Sequence, residues 1–171
     1  RQRRGHMKYG LIGEHLPHSF SKEIHAKIAS YEYELHELSK DQLAGFMQKH
    51  DFSGINVTIP YKEAVIPFLS EVDETAKRIG AVNTVVNRNG KLFGYNTDAY
   101  GMRALILKTG LDFTDAEVLI LGTGGTAHTA HAVAESLGAK TTITVGRTAK
   151  NGAVTYDEAY RSHADADFII N

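Results

Sequence analysis

The chain has 171 residues, 42% of them hydrophobic and 23% charged, enough apolar material for one sizeable core or two small ones. Its 19 basic and 20 acidic residues leave a net charge of -1, which predicts no general attraction to nucleic acid or to an anionic membrane. Cysteine is absent, excluding disulfides, thiolate zinc sites and a thiol nucleophile; with no long apolar run and no signal-peptide pattern, a cytoplasmic protein is expected.

Residues Arg1 to His6 read as a vector remnant, so the protein is taken to start at Met7. Lys8 to Gly13 predicts a short buried strand, with Pro17 in the loop after it. Ser19 and Ser21 straddle Phe20 just before the periodic segment Ile24, Ala26, Ile28, which puts two hydroxyls at a helix N-terminus. They can cap the helix or bind an anion together with its free N–H groups. Tyr31, Tyr33 and Leu35 alternate with Glu32, Glu34 and His36 as in a half-buried strand. Ser39 and Gln42 then form a capping box ahead of a helix whose apolar stripe is Leu43, Phe46 and Met47.

The stretch Asn56-Val-Thr-Ile-Pro-Tyr-Lys62 is the centre of the first half. Ile55, Val57 and Ile59 alternate with Asn56 and Thr58, and Pro60 ends the ladder by removing a donor. Pro60 also suits the first position of a helix, which would put Lys62 in its first turn, where an ammonium opposes the dipole. A solvated lysine and a functional cation both fit that placement. A helical segment is then expected through Ala64, Val65, Pro67 and Leu69, and a second from Glu74 to Ile79, capped by Asp73 and stopped at Gly80. Val82 to Asn87 and Leu92 to Tyr95 predict a hairpin around Asn89-Gly90, with Asn83 inside its first strand. Asp98 opens a helix through Tyr100, Met102, Leu105 and Ile106, either as its N-cap or in a catalytic role. The link from Thr109 to Asp115 marks a boundary between domains at 7–110 and 111–171.

Beyond it the grammar restarts. Val118 to Leu121 is a short buried strand that runs into Gly122-Thr123-Gly124-Gly125-Thr126-Ala127 and an alanine-rich helix, with Gly122, Gly124 and Ala127 matching the dinucleotide fingerprint. Thr141 to Val145 is the next strand. After it come Gly146, Arg147 and Thr148, where an NAD site usually carries an acidic residue; an arginine instead suits a 2'-phosphate, hence NADP. His128 and His131 share a helix face but lack a third ligand, so no metal site is predicted.

Taken in order, Ser19-x-Ser21, Asn56 to Lys62, Gly80-Ala-Val-Asn-Thr84, Gly94-Tyr-Asn-Thr-Asp98 and the Gly122 turn resemble the shikimate dehydrogenases, from about Lys8 to the last residue. The resemblance implies an N-terminal α/β substrate domain followed by an NADP-binding Rossmann domain, and reversible NADPH-dependent reduction of 3-dehydroshikimate to shikimate in aromatic amino-acid biosynthesis. It further implies that Ser19 and Ser21 bind the substrate carboxylate. Asn56, Thr58, Asn83 and Asp98 would bond the ring hydroxyls, and Lys62 and Asp98 would form the catalytic pair. The cofactor residues would be Gly122, Thr123, Gly124, Gly125, Thr126, Ala127, Arg147 and Thr148. Gly146 departs from the family's usual asparagine, and the family continues beyond the point where this chain stops. Only the first half of the Rossmann sheet is therefore expected, with Val118–Leu121, Thr141–Val145 and Phe168–Ile170 as strands 1, 2 and 3 of the order 3-2-1-4-5-6 and strand 1 left as an open edge. A small-molecule substrate and a monomer or homodimer are expected. The alternatives are a non-catalytic or inactive shikimate- or NADP-binding fragment, and a relative acting on quinate.

Overall fold

The structure, a computed structural model, describes residues 7–171, so the expected vector remnant lies outside the described residues. Contacts divide the chain into two compact units, the first ending at Asn96 and the second spanning Thr97–Asn171. That division falls ahead of the helix beginning at Asp98, whereas the sequence suggested a boundary in the link that follows it. Both units are α/β in construction. No helix among the described residues is long and apolar enough to cross a membrane.

The first unit runs β1 (Met7–Gly13), α1 (Ser21–Ile28), β2 (Tyr33–Glu37), α2 (Lys40–Lys49), β3 (Phe52–Val57), a 3-10 turn at Ile66–Phe68, β4 (Glu71–Val72), α3 (Glu74–Ile79), β5 (Thr84–Arg88) and β6 (Lys91–Tyr95). Its mixed sheet has the order β2-β1-β3-β5-β6-β4, with β1 parallel to β2 and β3 and the β5–β6 hairpin antiparallel. Because side chains alternate across a sheet, Ile12, Ile55, Val57 and Val85 enter one core with Leu43 and Met47 of α2. Phe46 stacks on buried Phe52 at 5.6 Å between ring centroids in the same cluster. The same alternation puts Leu11, Asn56 and Thr84, paired in register across β1, β3 and β5, on the opposite face.

Local signals behaved as the sequence suggested where their partners are close in the chain. The Ser39–Gln42 capping box forms, with Ser39 N–H donating to Gln42 Oε1 at 3.0 Å. Asp73 Oδ1 accepts from Ala76 N–H at 3.0 Å, and Gly80 ends α3 at φ 72°. Asn89 and Gly90 both take positive φ in the β5–β6 turn, as a tight hairpin requires. Three expectations need correction. No helix follows Pro60, because the Lys62 carbonyl accepts from Val82 N–H at 2.8 Å, so it is not part of a helical ladder. The chain instead passes through turns into the 3-10 segment, and Pro67 has no N–H to extend it. Asn83, expected inside the first hairpin strand, lies before β5, which begins at Thr84; in α1, Ile24 and Ile28 are exposed and no residue is buried. Strand β2 begins at Tyr33, while Tyr31 packs against Tyr9 at 4.9 Å.

The second unit runs α4 (Asp98–Thr109), β7 (Glu117–Leu121), α5 (Gly125–Ser136), β8 (Thr141–Gly146), β9 (Val154–Thr155), α6 (Tyr156–Ser162) and β10 (Phe168–Ile170). All strand pairs are parallel and the order is β10-β7-β8-β9. This corrects the expected strand assignment. Phe168–Ile170 lies beside β7 on the side away from β8, the place of strand 4, while the two-residue β9 occupies the place of strand 3. Strand β7 is therefore internal and β10 is one of the two edges. Phe168 is held there by stacking on buried Phe113 at 4.4 Å, and Asp167 Oδ2 accepts from Glu117 N–H at 2.8 Å. The missed turn into α6 had a readable signal, since Thr155 and Glu158 form a capping box.

His131 joins α5 to β8, its ring nitrogens lying 2.7 Å from Thr142 Oγ1 and 2.6 Å from Thr144 Oγ1. Burial holds its pKa below the usual histidine value of 6.5; Glu135 opposes this and His128 adds to it. A lowered folded-state pKa means the unfolded chain binds the proton first as pH falls. The stability that neutral His131 contributes is thus present above about pH 6.5 and lost as pH falls through the folded value. Thermal melts between pH 7.5 and 5 should show a drop in the transition of this unit that His131→Gln reduces. An identical pH slope in the variant would exclude His131 as the source.

Candidate active site

The polar end of β3 is built from segments that bond one another through backbone. Val57 N–H donates to the Asn83 carbonyl at 2.8 Å, Asn83 N–H to the Tyr95 carbonyl at 3.0 Å, and Val82 N–H to the Lys62 carbonyl at 2.8 Å. Asn96 Nδ2 adds a bond to the Ala81 carbonyl at 2.9 Å. Asn56, Lys62 and Asn83 therefore belong to one fastened end of the first sheet. Thr58 follows directly, its N–H donating to the Ile12 carbonyl at 3.0 Å. Its methyl lies so close to Gly13 that a Cβ there would come within 2.7 Å of it and of Leu16 Cδ2. Gly13 thus makes room for Thr58, a role that no local sequence signal announces.

The loop that carries Ser19 is pinned by Glu37, whose Oε1 accepts from Leu16 N–H at 2.6 Å, and by Leu38 N–H donating to the Gly13 carbonyl at 2.9 Å. Ser19 Oγ accepts from Ser21 N–H at 3.3 Å, and Ser21 is the first residue of α1. The side chains at the sheet end form a connected polar network. Asn56 Oδ1 accepts from Tyr33 Oη at 2.7 Å, and Asn56 Nδ2 donates to Thr84 Oγ1 at 3.2 Å and to the Asn83 carbonyl at 3.5 Å. Thr84 Oγ1 in turn donates to Asn83 Oδ1 at 3.0 Å. Neither Tyr33 nor Thr84 was given a site role from the sequence: Tyr33 reads as an ordinary strand residue, and Thr84 enters only as the end of the Gly80-Ala-Val-Asn-Thr84 motif. Lys62 is half-buried in the turn after Pro60.

In the second unit Asp98 is the first residue of α4, with Thr97 in the N-cap position rather than Asp98 itself. The glycine turn joins β7 to α5. Gly122 takes φ 121°, a left-handed conformation that favours glycine, while its N–H donates to the Val145 carbonyl at 2.8 Å and so ties the turn to the end of β8. Gly124 precedes α5 at φ -94°, and a Cβ built at either Gly122 or Gly124 would meet nothing within 4 Å. Open space over a helix N-terminus fits a phosphate group. Ala127 is buried, its N–H bonded to the Gly124 carbonyl at 2.8 Å. Gly146 has a packing reason: a Cβ there would lie 3.0 Å from Thr123 Cγ2 and 3.3 Å from the Thr148 carbonyl. Arg147 and Thr148 follow β8 on the surface. Among the described residues no cluster of three or more histidine, aspartate or glutamate side chains could hold a metal.

A family profile described as the shikimate dehydrogenase substrate binding domain matches residues 11–85. The NADP(+)-dependent shikimate dehydrogenase of a Geobacillus species is 44% identical over 77% of this chain and 51% of its own length. That of Clostridium beijerinckii is 36% identical over 95% of this chain and 66% of its own length. A crystal structure of shikimate 5-dehydrogenase from Thermus thermophilus in complex with NADP(H) and shikimate superposes with a TM-score of 0.83 at 28% identity, covering 96% of this chain and 67% of that one. The chain thus spans between about half and two thirds of the length of these relatives. These sequence matches, together with the superposition along almost the whole chain, show that the chain belongs to the shikimate dehydrogenase family.

Proposed function

We propose that this chain supplies the substrate domain and the leading part of the cofactor domain of an NADP-dependent shikimate dehydrogenase. The observation that carries the reading is the fastening of Asn56, Lys62 and Asn83 to one sheet end through the Val57–Asn83 and Val82–Lys62 bonds. A ring bearing several hydroxyls needs such a set of donors and acceptors converging from separate segments, since a single segment cannot surround it. Ser19 and Ser21 hold the carboxylate from the loop and the start of α1, and Asn56, Thr58, Asn83 and Asp98 bond the ring hydroxyls. Bound NADPH supplies the hydride. As the carbonyl oxygen gains charge, Lys62 gives it a proton or a nearby positive charge, with Asp98 as its partner in the acid–base chemistry.

On the cofactor side, the N–H groups at the start of α5, with the open space at Gly122 and Gly124, would hold the pyrophosphate, and Arg147 would select a 2'-phosphate. Calorimetric and NMR titrations of the chain with shikimate, quinate, NADP+ and NAD+ test this. Shikimate should perturb the side-chain amides of Asn56 and Asn83, and NADP+ should bind more tightly than NAD+. Arg147→Ala should narrow the cofactor gap by about tenfold, the low end for a charge-assisted contact at an exposed residue. No uptake of shikimate would overturn the substrate assignment, and equal weakening of both cofactors would remove Arg147 from the 2'-phosphate.

A further inference from the structure

We propose that Tyr33 is a positioning residue of this site: its hydroxyl sets the side-chain amide of Asn56, and through it that of Asn83, while its ring seats the helix that begins at Ser21. The inference rests on the proposed substrate site and extends it to a residue outside the set assigned to the substrate.

Tyr33 stands on the edge strand β2, paired in register with Tyr9, and is 5% exposed. From there its phenol reaches over β1 to donate to Asn56 Oδ1 at 2.7 Å. Burial, with a smaller contribution from Tyr31, pushes that phenol up to about pKa 12, so its proton is in place throughout the working range of an enzyme. At the other end of the same amide, Asn56 Nδ2 faces the Asn83 backbone carbonyl at 3.5 Å, a group that can only accept. The carbonyl fixes the sense of the amide, and the Tyr33 hydroxyl then holds its oxygen by donating to it. Thr84 passes that sense on, accepting from Asn56 Nδ2 at 3.2 Å and donating to Asn83 Oδ1 at 3.0 Å. Packing alone would not hold Asn56, because a cavity of about 390 Å³ borders Asn56, Thr84, Tyr33 and His25.

The ring of Tyr33 has a second task. Helix α1 buries none of its residues, so apolar burial does not anchor it. What attaches it here is His25, which stacks on Tyr33 at 3.8 Å with the rings 15° from parallel, while its Nδ1 bonds the Tyr31 hydroxyl. One side chain thus touches both the segment carrying the carboxylate-binding serines and the asparagine assigned to the ring hydroxyls. An aromatic residue with a hydroxyl is required at 33, because phenylalanine keeps only the stacking and smaller residues keep neither.

The test is a pair of variants read by shikimate titration and by the side-chain amide signals of Asn56. Tyr33→Phe should weaken shikimate about fivefold to tenfold, on the scale of one hydrogen bond, and shift the Asn56 amide signals before any ligand is added. NADP+ affinity should be unchanged. Because Tyr33 acts through Asn56, adding Tyr33→Phe to Asn56→Ala should cost nothing further. Tyr33→Leu should do more than Tyr33→Phe, and should also disturb the Ser21 N–H signal. Unaltered affinity and amide signals in a folded Tyr33→Phe chain would overturn the proposal, as would full additivity with Asn56→Ala. If the unsubstituted chain takes up no shikimate, the functional reading falls and the substrate role of Tyr33 falls with it, an outcome distinct from a failure of Tyr33→Phe alone.

Discussion

Replacing Lys62 by alanine is expected to lower kcat by at least about a hundredfold in protein that turns over shikimate, the lower range for loss of a positioned general acid. The expectation is chemical because backbone bonds hold the turn that carries Lys62. The Lys62 carbonyl accepts from Val82 N–H at 2.8 Å, and Val65 N–H bonds the carbonyl of Tyr61, itself buried at 1% exposure with its hydroxyl donating to the Leu38 carbonyl. Truncation at 62 leaves all of these bonds in place. The fold should therefore be retained and KM should move less than kcat, the pattern of an interaction strongest in the transition state. Steady-state kinetics with a melting curve on the same sample decide it. A kcat near that of the unsubstituted protein would take Lys62 out of the mechanism.

What the sequence revealed, and what it concealed, divides according to the distance over which each determinant acts. The capping box at Ser39 and Gln42, the Asp73 cap with Gly80, and the Asn89-Gly90 hairpin are local agreements between a few neighbouring residues, so they could be read directly. The expected helix after Pro60 failed for a non-local reason: Val82, from the far side of α3, takes the carbonyl that a helical ladder would have used. Strand β10 was recognisable as a strand but not in its place. Its position beside β7 depends on Phe168 meeting Phe113 and on Asp167 meeting Glu117, contacts with no local signature, and the two residues of β9 were too few to display an alternation. The consequence is functional. With β10 in the strand-4 position, the crevice between β7 and its neighbour, where such sheets bind dinucleotides, has both flanking strands. Candidate residues at the site were legible where chemistry demands a rare pattern, as at Asn56 to Lys62 and the glycine turn. The roles of Tyr33, Thr84 and Gly13 were not, since a tyrosine or threonine in a strand has an ordinary explanation until its partner is seen.

Gly124→Val is expected to weaken NADP+ binding by at least about a hundredfold while leaving the fold intact, and the argument rests on the contrast between two glycines of one turn. Gly122 has a backbone reason to be glycine: at φ 121° a branched residue would be strained by roughly 1–2 kcal/mol or more, so any loss of cofactor there would be mixed with a loss of stability. Gly124 has no such reason. Its φ of -94° and ψ of -176° are extended backbone that valine adopts readily, and a Cβ there would meet nothing within 4 Å. Seen from the protein alone, almost any residue would serve at 124. A glycine where none is needed for the fold points to something outside the chain that must approach the backbone closely, and a pyrophosphate at the start of α5 is such a group. Valine at this N-cap position costs about 1 kcal/mol of helix capping at most, so the melting transition should move by only a few degrees. Shikimate affinity, read in the same titrations, should not change. If Gly124→Val binds NADP+ as the unsubstituted chain does, the space above the turn is not where the cofactor lies, and the assignment of Gly122 to Ala127 as its binding segment fails.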